Sequence, residues 1–426
     1  MKKGFSTIMS AQFFSSLADN ALFVTALTVL RVGGAPEWER TALIPMFALF
    51  YVILAPFLGP IADAFPKGRV MFVSNLIKVV GCVMMLLGVH PLLSIALVGL
   101  GAAAYSPAKY GILTELLPNS QLVKANGWIE GLTIASIILG SVVGGQLTEP
   151  TISALLMKID LPWVETGLDS PTELAIATLI LLYAIAAAFN LRIPRTEAVL
   201  QPLNYQPLQV IKEFNQCNML LWRDKLGQIS LATTTLFWGV SGNMRYIVLA
   251  WAAAVFGFTE GPASALVGVV AIGTAAGAVV AAMRMRLDQA YKVVPLGIIM
   301  GVSVILMNFI TDVWVAVPFL VLLGAVGGFL VVPMNALLQH RGHNLMGAGR
   351  SIAVQNFNEQ ACILGMGALY TGVTGLGLSA FHSITIFGLV VAVTSWVIQQ
   401  WHKRNSLNHP EEVERLLALA RSDSHT

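Results

Sequence analysis

The apolar residues of this chain come in blocks about twenty residues long, without the strict alternation of a half-buried strand. Reading between charged or turn-rich breaks gives twelve blocks, at 5–30, 41–62, 69–89, 92–113, 125–148, 172–192, 226–257, 262–283, 293–311, 313–336, 347–372 and 376–400. A bilayer core about 30 Å thick takes roughly 20 apolar helical residues, so each block predicts one membrane-spanning helix. The shortest breaks, at His90-Pro91 and Thr311-Asp312, leave room only for tight turns. The first block follows Met1-Lys2-Lys3, as a signal peptide would. It is longer than such a peptide and carries Asp19-Asn20 inside, so a retained first helix is expected.

Composition agrees with the pattern. Only 11% of the 426 residues are Asp, Glu, Lys or Arg, against about 25% in an average soluble protein. Hydrophobic residues make up 56%, and mean hydropathy is +0.75. Such a chain cannot coat itself with charge, which excludes an ordinary cytosolic enzyme, a disordered chain and a nucleic-acid binder. The net charge of +3 says little, but the placement of the basic residues says more. With the N-terminus inside, 20 of the 25 fall in inner loops and tails, and only Arg31, Arg40 and Lys158 in outer loops. This bias predicts an even number of spans and cytoplasmic termini. Cys82, Cys217 and Cys362 show no disulfide or metal spacing, the seven histidines form no metal motif, and no phosphate-cradling loop is present. No cofactor is expected.

The longest inner connection, with Pro194, Pro202 and Pro207, leads into an amphipathic stretch with Leu208, Ile211 and Phe214. It reads as a linker with a helix along the membrane surface. The longest outer loop is about 149–171, and the tail has Val413, Leu416, Leu417 and Ala420 at helical spacing, read as a short helix with a solvated face. The expected organisation is a six-helix bundle at 1–192, a cytoplasmic linker at 193–225, a second six-helix bundle at 226–400 and a cytoplasmic tail at 401–426. Six plus six spans fit an all-α integral membrane protein of the major facilitator fold, with two pseudo-symmetric bundles. A shift of 226 residues places Gly101 on Gly327, Pro107 on Pro333, Lys124 on Arg350 and Asp19 on Arg245. The loop from Gly59 through Asp63 and Lys67 to Arg69 resembles that superfamily's short Gly, Asp and Arg loop. The resemblance implies a latch made by Asp63 and Arg69, the alternative being a solvated basic loop.

A charge at mid-bilayer costs about 3 kcal/mol on insertion scales, so Asp19, Glu130, Arg245 and Glu359 need partners, water or substrate. Asp19 lies roughly 21 Å along its helix at 1.5 Å per residue. The repeat makes Asp19 and Arg245 equivalent, so they are expected to face each other across the central axis. They could close an outer gate, grip a zwitterion, or form a packing pair. Gln355, Asn356, Asn358, Glu359 and Gln360 suggest a water-lined face. Glu130 is open between gate and structure, with Lys109 or Lys124 as partner. Lys78 could snorkel to the inner surface and is read as structural. Trp238, Phe237 and Tyr246, near Arg245, could line a pocket or mark a membrane interface.

The run Tyr105-Ser106-Pro107-Ala108-Lys109-Tyr110-Gly111-Ile112-Leu113 is specific enough to name a family. With Leu122-Val123-Lys124-Ala125-Asn126-Gly127, Ala18-Asp19-Asn20-Ala21-Leu22, Leu236-Phe237-Trp238-Gly239, Val332-Pro333-Met334-Asn335 and Ala353-Val354-Gln355-Asn356, it closely resembles the bacterial lysophospholipid transporter family. The resemblance covers nearly all twelve spans; the 149–171 loop departs from it. It implies a multi-pass transporter of the bacterial inner membrane, and no enzyme. That transporter moves lysophosphatidylethanolamine and related lysolipids from the outer to the inner leaflet. A separate acyltransferase/acyl-carrier-protein synthetase would re-acylate them there, and a monomer is expected. On this reading Asp19, Asn20, Arg245, Glu359, Gln355 and Trp238 bind the substrate. Asp63, Arg69, Lys109, Lys124 and Glu130 then form the inner gate. Two rivals remain: a proton-coupled facilitator of a soluble amphipathic solute or drug, and an intramembrane lipid enzyme. The enzyme needs a nucleophile with a base, or a metal set, and the sequence offers neither.

Overall fold

The computed structural model describes residues 4–36, 39–40, 42–148, 170–204, 206–258 and 260–422. The 149–171 loop therefore lies almost wholly outside the described residues. Within them the chain is helical, with no strand. The helices are α1 (Phe5–Val32), α2 (Leu43–Ile53), α3 (Ala55–Ala64), α4 (Lys67–Leu86), α5 (Pro91–Leu116), α6 (Asn119–Thr148) and α7 (Pro171–Leu191). After the linker come α8 (Pro207–Arg223), α9 (Gly227–Phe256), α10 (Glu260–Arg284), α11 (Leu296–Leu306), α12 (Val313–Met346), α13 (Ala348–Gly375), α14 (Ala380–Asn408) and α15 (Pro410–Arg421). A 3-10 helix at Leu287–Val293 leads into α11.

Among the described residues nine helices are long and apolar enough to cross a membrane, and the pair α2 and α3, bent by 64°, makes a tenth crossing. Pro56 causes the bend: it has no N–H to donate, and its ring would strike the carbonyl four residues back. Two further helices, α9 and α13, are 30 and 28 residues long and too polar for that test. With them the described residues hold twelve long helical segments, the number of blocks in the pattern. The two that lipid would reject on composition carry Thr233, Thr234, Asn243 and Arg245, and Gln355 to Gln360. Polarity there marks faces turned toward protein or water.

Helices α1 to α7 pack mainly on one another, α1 on α6 and α7, α4 on α5 and α7. Helices α9 to α14 do the same, α10 on α12, α11 on α14 and α9 on α13. Small residues set the closest approaches. Gly273 and Gly277 of α10 lie on backbone carbonyls of α12, while Gly324 and Gly328 of α12 lie on carbonyls of α10. A methyl group at any of the four would collide with backbone, so the pair packs by contact of main chains.

The two halves join at one end of the bundle, where α3 and α5 meet α13, and α6 meets α10 and α12. That end carries the basic connections and is the basic end below. The linker helix α8 buries Val210, Phe214 and Leu221 against the bundle and leaves Leu208 and Ile211 exposed. Of the three expected apolar positions only Phe214 is buried, so the buried face is rotated about the helix axis from the expected one. The tail forms the short amphipathic helix expected: Val413, Leu416, Leu417 and Ala420 of α15 are buried on the protein, and Glu411, Glu414 and Arg415 face out. Asn119 at the start of α6 donates to the carbonyl of Ser422 (2.7 Å), fixing the tail across the seam.

Candidate functional site

Asp19 sits at mid-length of α1. Its carboxylate accepts from the Lys78 ammonium through both oxygens, at 2.9 and 2.8 Å, and from the Tyr183 hydroxyl at 2.6 Å. Lys78 also donates to Ser15 (3.0 Å), whose hydroxyl donates to Asn75 (2.8 Å). All these groups belong to the first half. The expected pairing of Asp19 with Arg245 is therefore not formed. Arg245 is exposed on α9, with no hydrogen-bond or ion-pair partner among the described residues. Lys78 does not snorkel: only 1% of it is exposed. The reason is distance along the chain. Lys78 is eleven residues into α4, too deep for its stem to reach water, and Asp19 is nearer.

Asn20 donates back to the carbonyl of Ser16 on its own helix (2.8 Å). Trp238 is half-buried, edge-on to Phe237 at 5.3 Å. On α13, Gln355 donates to Glu359 (2.7 Å) and to Asn335 of α12 (3.0 Å). Glu359 is buried and has no basic partner among the described residues. Across the seam, Glu130 of α6 accepts from the Tyr110 hydroxyl (3.1 Å) and lies within electrostatic range of Lys109 and Glu359. Lys109 stacks its ammonium over the Tyr110 ring at 4.1 Å. Glu130 thus finds Lys109 rather than Lys124, which is exposed and has no partner among the described residues.

At the basic end Asp63 accepts from the backbone N–H groups of Gly349 (2.6 Å) and Arg350 (2.9 Å), the first turn of α13. A carboxylate there satisfies orphan donors and meets the positive end of the helix dipole. Arg69 takes no part and is exposed. Lys67 replaces it, bridging Asp63 (3.3 Å) and Glu115 (2.9 Å). Lys67 opens α4 just past the extended Phe65-Pro66 break and comes back onto Asp63, whereas Arg69 is exposed. The linker joins in. Gln201 donates its backbone N–H to the Asp63 carbonyl (3.0 Å) and accepts from Arg350 through its side chain. Around these groups lies a cavity of about 520 Å³.

The other hydrogen bonds described across the seam join amides, hydroxyls and imidazoles. Asn126 and Gln339 exchange two hydrogen bonds, at 2.9 and 2.8 Å. Asn356 donates to Ser106 (2.9 Å), Thr114 meets His343 (3.2 Å) and Asn119 meets His340 (3.1 Å). Sequence reasoning missed Lys67, Glu115, Gln201 and these amide pairs. For Asn126 and Gln339 a signal existed, since each is an amide inside an apolar block and must find a partner.

The arrangement is therefore two helical bundles, closed on each other at one end, with a buried ionic dyad in one bundle and, in the other, a buried acid and an arginine that has no partner among the described residues. The sequence profile of the Major Facilitator Superfamily matches residues 8–366. The chain belongs to that superfamily. Solved facilitator structures share its fold. The transporter FucP in the outward conformation superposes with a TM-score of 0.69 at 14% identity, covering 99% of both chains. A bacterial homologue of the iron transporter ferroportin, in an outward-facing state, gives 0.68 at 14% identity, covering 94% of this chain and 100% of its own. Among sequence relatives, the lysophospholipid transporter LplT of Photorhabdus laumondii is 37% identical over 406 residues, 95% of this facilitator and 96% of the relative. The protein of the same name from Yersinia enterocolitica is 39% identical over 379 residues, 89% of each.

Proposed function

We propose that this facilitator moves lysophospholipids, lysophosphatidylethanolamine among them, from the outer to the inner leaflet of a bacterial inner membrane. The observation that carries this reading is the near end-to-end similarity, at 37–39% identity, to relatives named lysophospholipid transporter. The bundles at 1–192 and 226–400 rock about the central site, joined by the linker at 193–225, with linker, tail 401–426 and basic end in the cytoplasm. Arg245, with no hydrogen-bond or ion-pair partner among the described residues, takes the phosphate. The exposed edge of Asp19 takes the ammonium or hydroxyl of the headgroup, with Asn20 beside it. Glu359 and Gln355 line the opposite wall, and Trp238 borders the acyl chain. A polar cavity thereby replaces the hydration that a headgroup would lose in bare lipid. Asp63, Lys109 and Glu130 hold the basic end shut, and Arg69 and Lys124 become available to the inner leaflet's anionic lipids. The chain works as a monomer and hands its product to a separate acyltransferase/acyl-carrier-protein synthetase.

The test is purified protein in liposomes, given labelled lysophospholipid and a panel of soluble amphipathic solutes. Lysolipid uptake without solute uptake is expected. Solute uptake alone, driven by a proton gradient, would favour the rival facilitator. Arg245→Ala should abolish lysolipid uptake at unchanged membrane abundance, because it breaks no hydrogen bond or ion pair among the described residues. Undiminished uptake would remove Arg245 from the headgroup site.

A further inference from the structure

Lys78 has the lowest exposure of the buried charged side chains among the described residues, at 1%. Its ammonium touches only groups that favour a cation. Both Asp19 oxygens lie within 2.9 Å and Ser15 Oγ at 3.0 Å. The faces of Tyr105 and Tyr183 lie at 5.2 and 5.4 Å to their centroids. The stem reaches this cage because α5 offers Gly101 where it crosses. A Cβ there would meet Lys78 Cγ at 2.7 Å and the Ser74 carbonyl at 2.6 Å. The lysine is built in and cannot leave without breaking every one of these contacts.

Its partner differs. The Asp19 side chain keeps 19% of its surface exposed. A ligand that reaches this place meets the carboxylate edge of the dyad and never the ammonium behind it. That edge can still accept a hydrogen bond, but its charge is already cancelled at contact distance. Headgroups of lysophospholipids divide on this point. An ethanolamine headgroup is zwitterionic, whereas a glycerol headgroup leaves the phosphate's negative charge uncompensated. A naked carboxylate would attract the first and repel the second.

We propose that Lys78 is a specificity-determining residue. By neutralising Asp19 it lets one site accept both zwitterionic and anionic lysophospholipids. The inference rests on the lysolipid reading above.

The readout is the ratio of lysophosphatidylethanolamine to lysophosphatidylglycerol uptake, both measured on one preparation in liposomes. A ratio cancels the fraction of protein that is folded. Lys78→Met should raise it about tenfold, through loss of the anionic substrate. Asp19→Asn, which leaves the lysine charge uncompensated, should lower it by a similar factor. The double variant Asp19→Asn, Lys78→Met removes both charges and should return the ratio to the wild-type value, and Lys78→Arg should keep it there. Single variants that leave the ratio unmoved, or move it in the same direction, overturn the proposal. Should either single variant fail to fold, the neutral double variant decides: a shifted ratio there also overturns it. If the wild-type protein moves neither lysolipid, the transport reading itself fails, and that result is distinct from an unmoved ratio.

Discussion

At Gly59 the seam between the halves leaves no space for a methyl group. A Cβ would sit 2.8 Å from the Arg350 Cα and 3.1 Å from the Gly349 carbonyl. Backbone cannot step aside, so Gly59→Val penalises the closed basic end by about 1–3 kcal/mol and leaves the open one untouched. With Cys82, Cys217 and Cys362 replaced and a cysteine placed at buried Ala348, thiol labelling from the basic side should accelerate at least about fivefold. An unchanged rate would mean the seam does not depend on Gly59. At this scale the sequence tells which residues need company, but not whose. Asp19 and Glu359 stand out because charge is expensive in an apolar block. Their partners depend on how neighbouring helices are rotated. Lys78, 59 positions from Asp19, is brought to it by packing that no local spacing records. The 226-residue repeat points to Arg245 instead, because sequence symmetry relates positions between bundles and contact is made within one.

Among elements, the pairing of α6 with α12 rests on a reciprocal amide bridge. Asn126 and Gln339 are 0% and 1% exposed and give each other a donor and an acceptor. Asn126→Ala strands both polar atoms of Gln339 on that side, at a cost of about 1–3 kcal/mol. Removing both partners, as Asn126→Leu with Gln339→Leu, should cost less than either single change. Apparent melting temperatures in detergent, read as a double-mutant cycle, check this; additive losses would contradict it. Elements were largely legible from blocks of apolar residues, since a span must satisfy its backbone internally. The bend at Leu54 was not, although Pro56 announces it. Nor was the docking of α15. Its apolar spacing reads as an amphipathic helix, but only tertiary structure supplies the surface that Leu416 and Leu417 cover.

For the whole molecule, the consequence of the seam's chemistry is electrical. Moving one elementary charge through the membrane potential is worth about 2.3 kcal/mol per 100 mV. The bonds that must break for the basic end to open join amides, hydroxyls and imidazoles, at Asn126, Ser106, Thr114 and Asn119. The charged bond, Asp63 to the start of α13, joins a carboxylate to backbone N–H groups at the basic end. Opening therefore transfers almost no net charge, since Lys109 and Glu130 are of opposite sign, lie in the same bundle and move together. Liposomes clamped at different diffusion potentials should take up a zwitterionic lysolipid at rates within about twofold of each other across 100 mV, against the roughly fifty-fold that one full gating charge would produce. A steep voltage dependence would place a moving charge in the closure. A closure latched in this way would not need the membrane potential to release it.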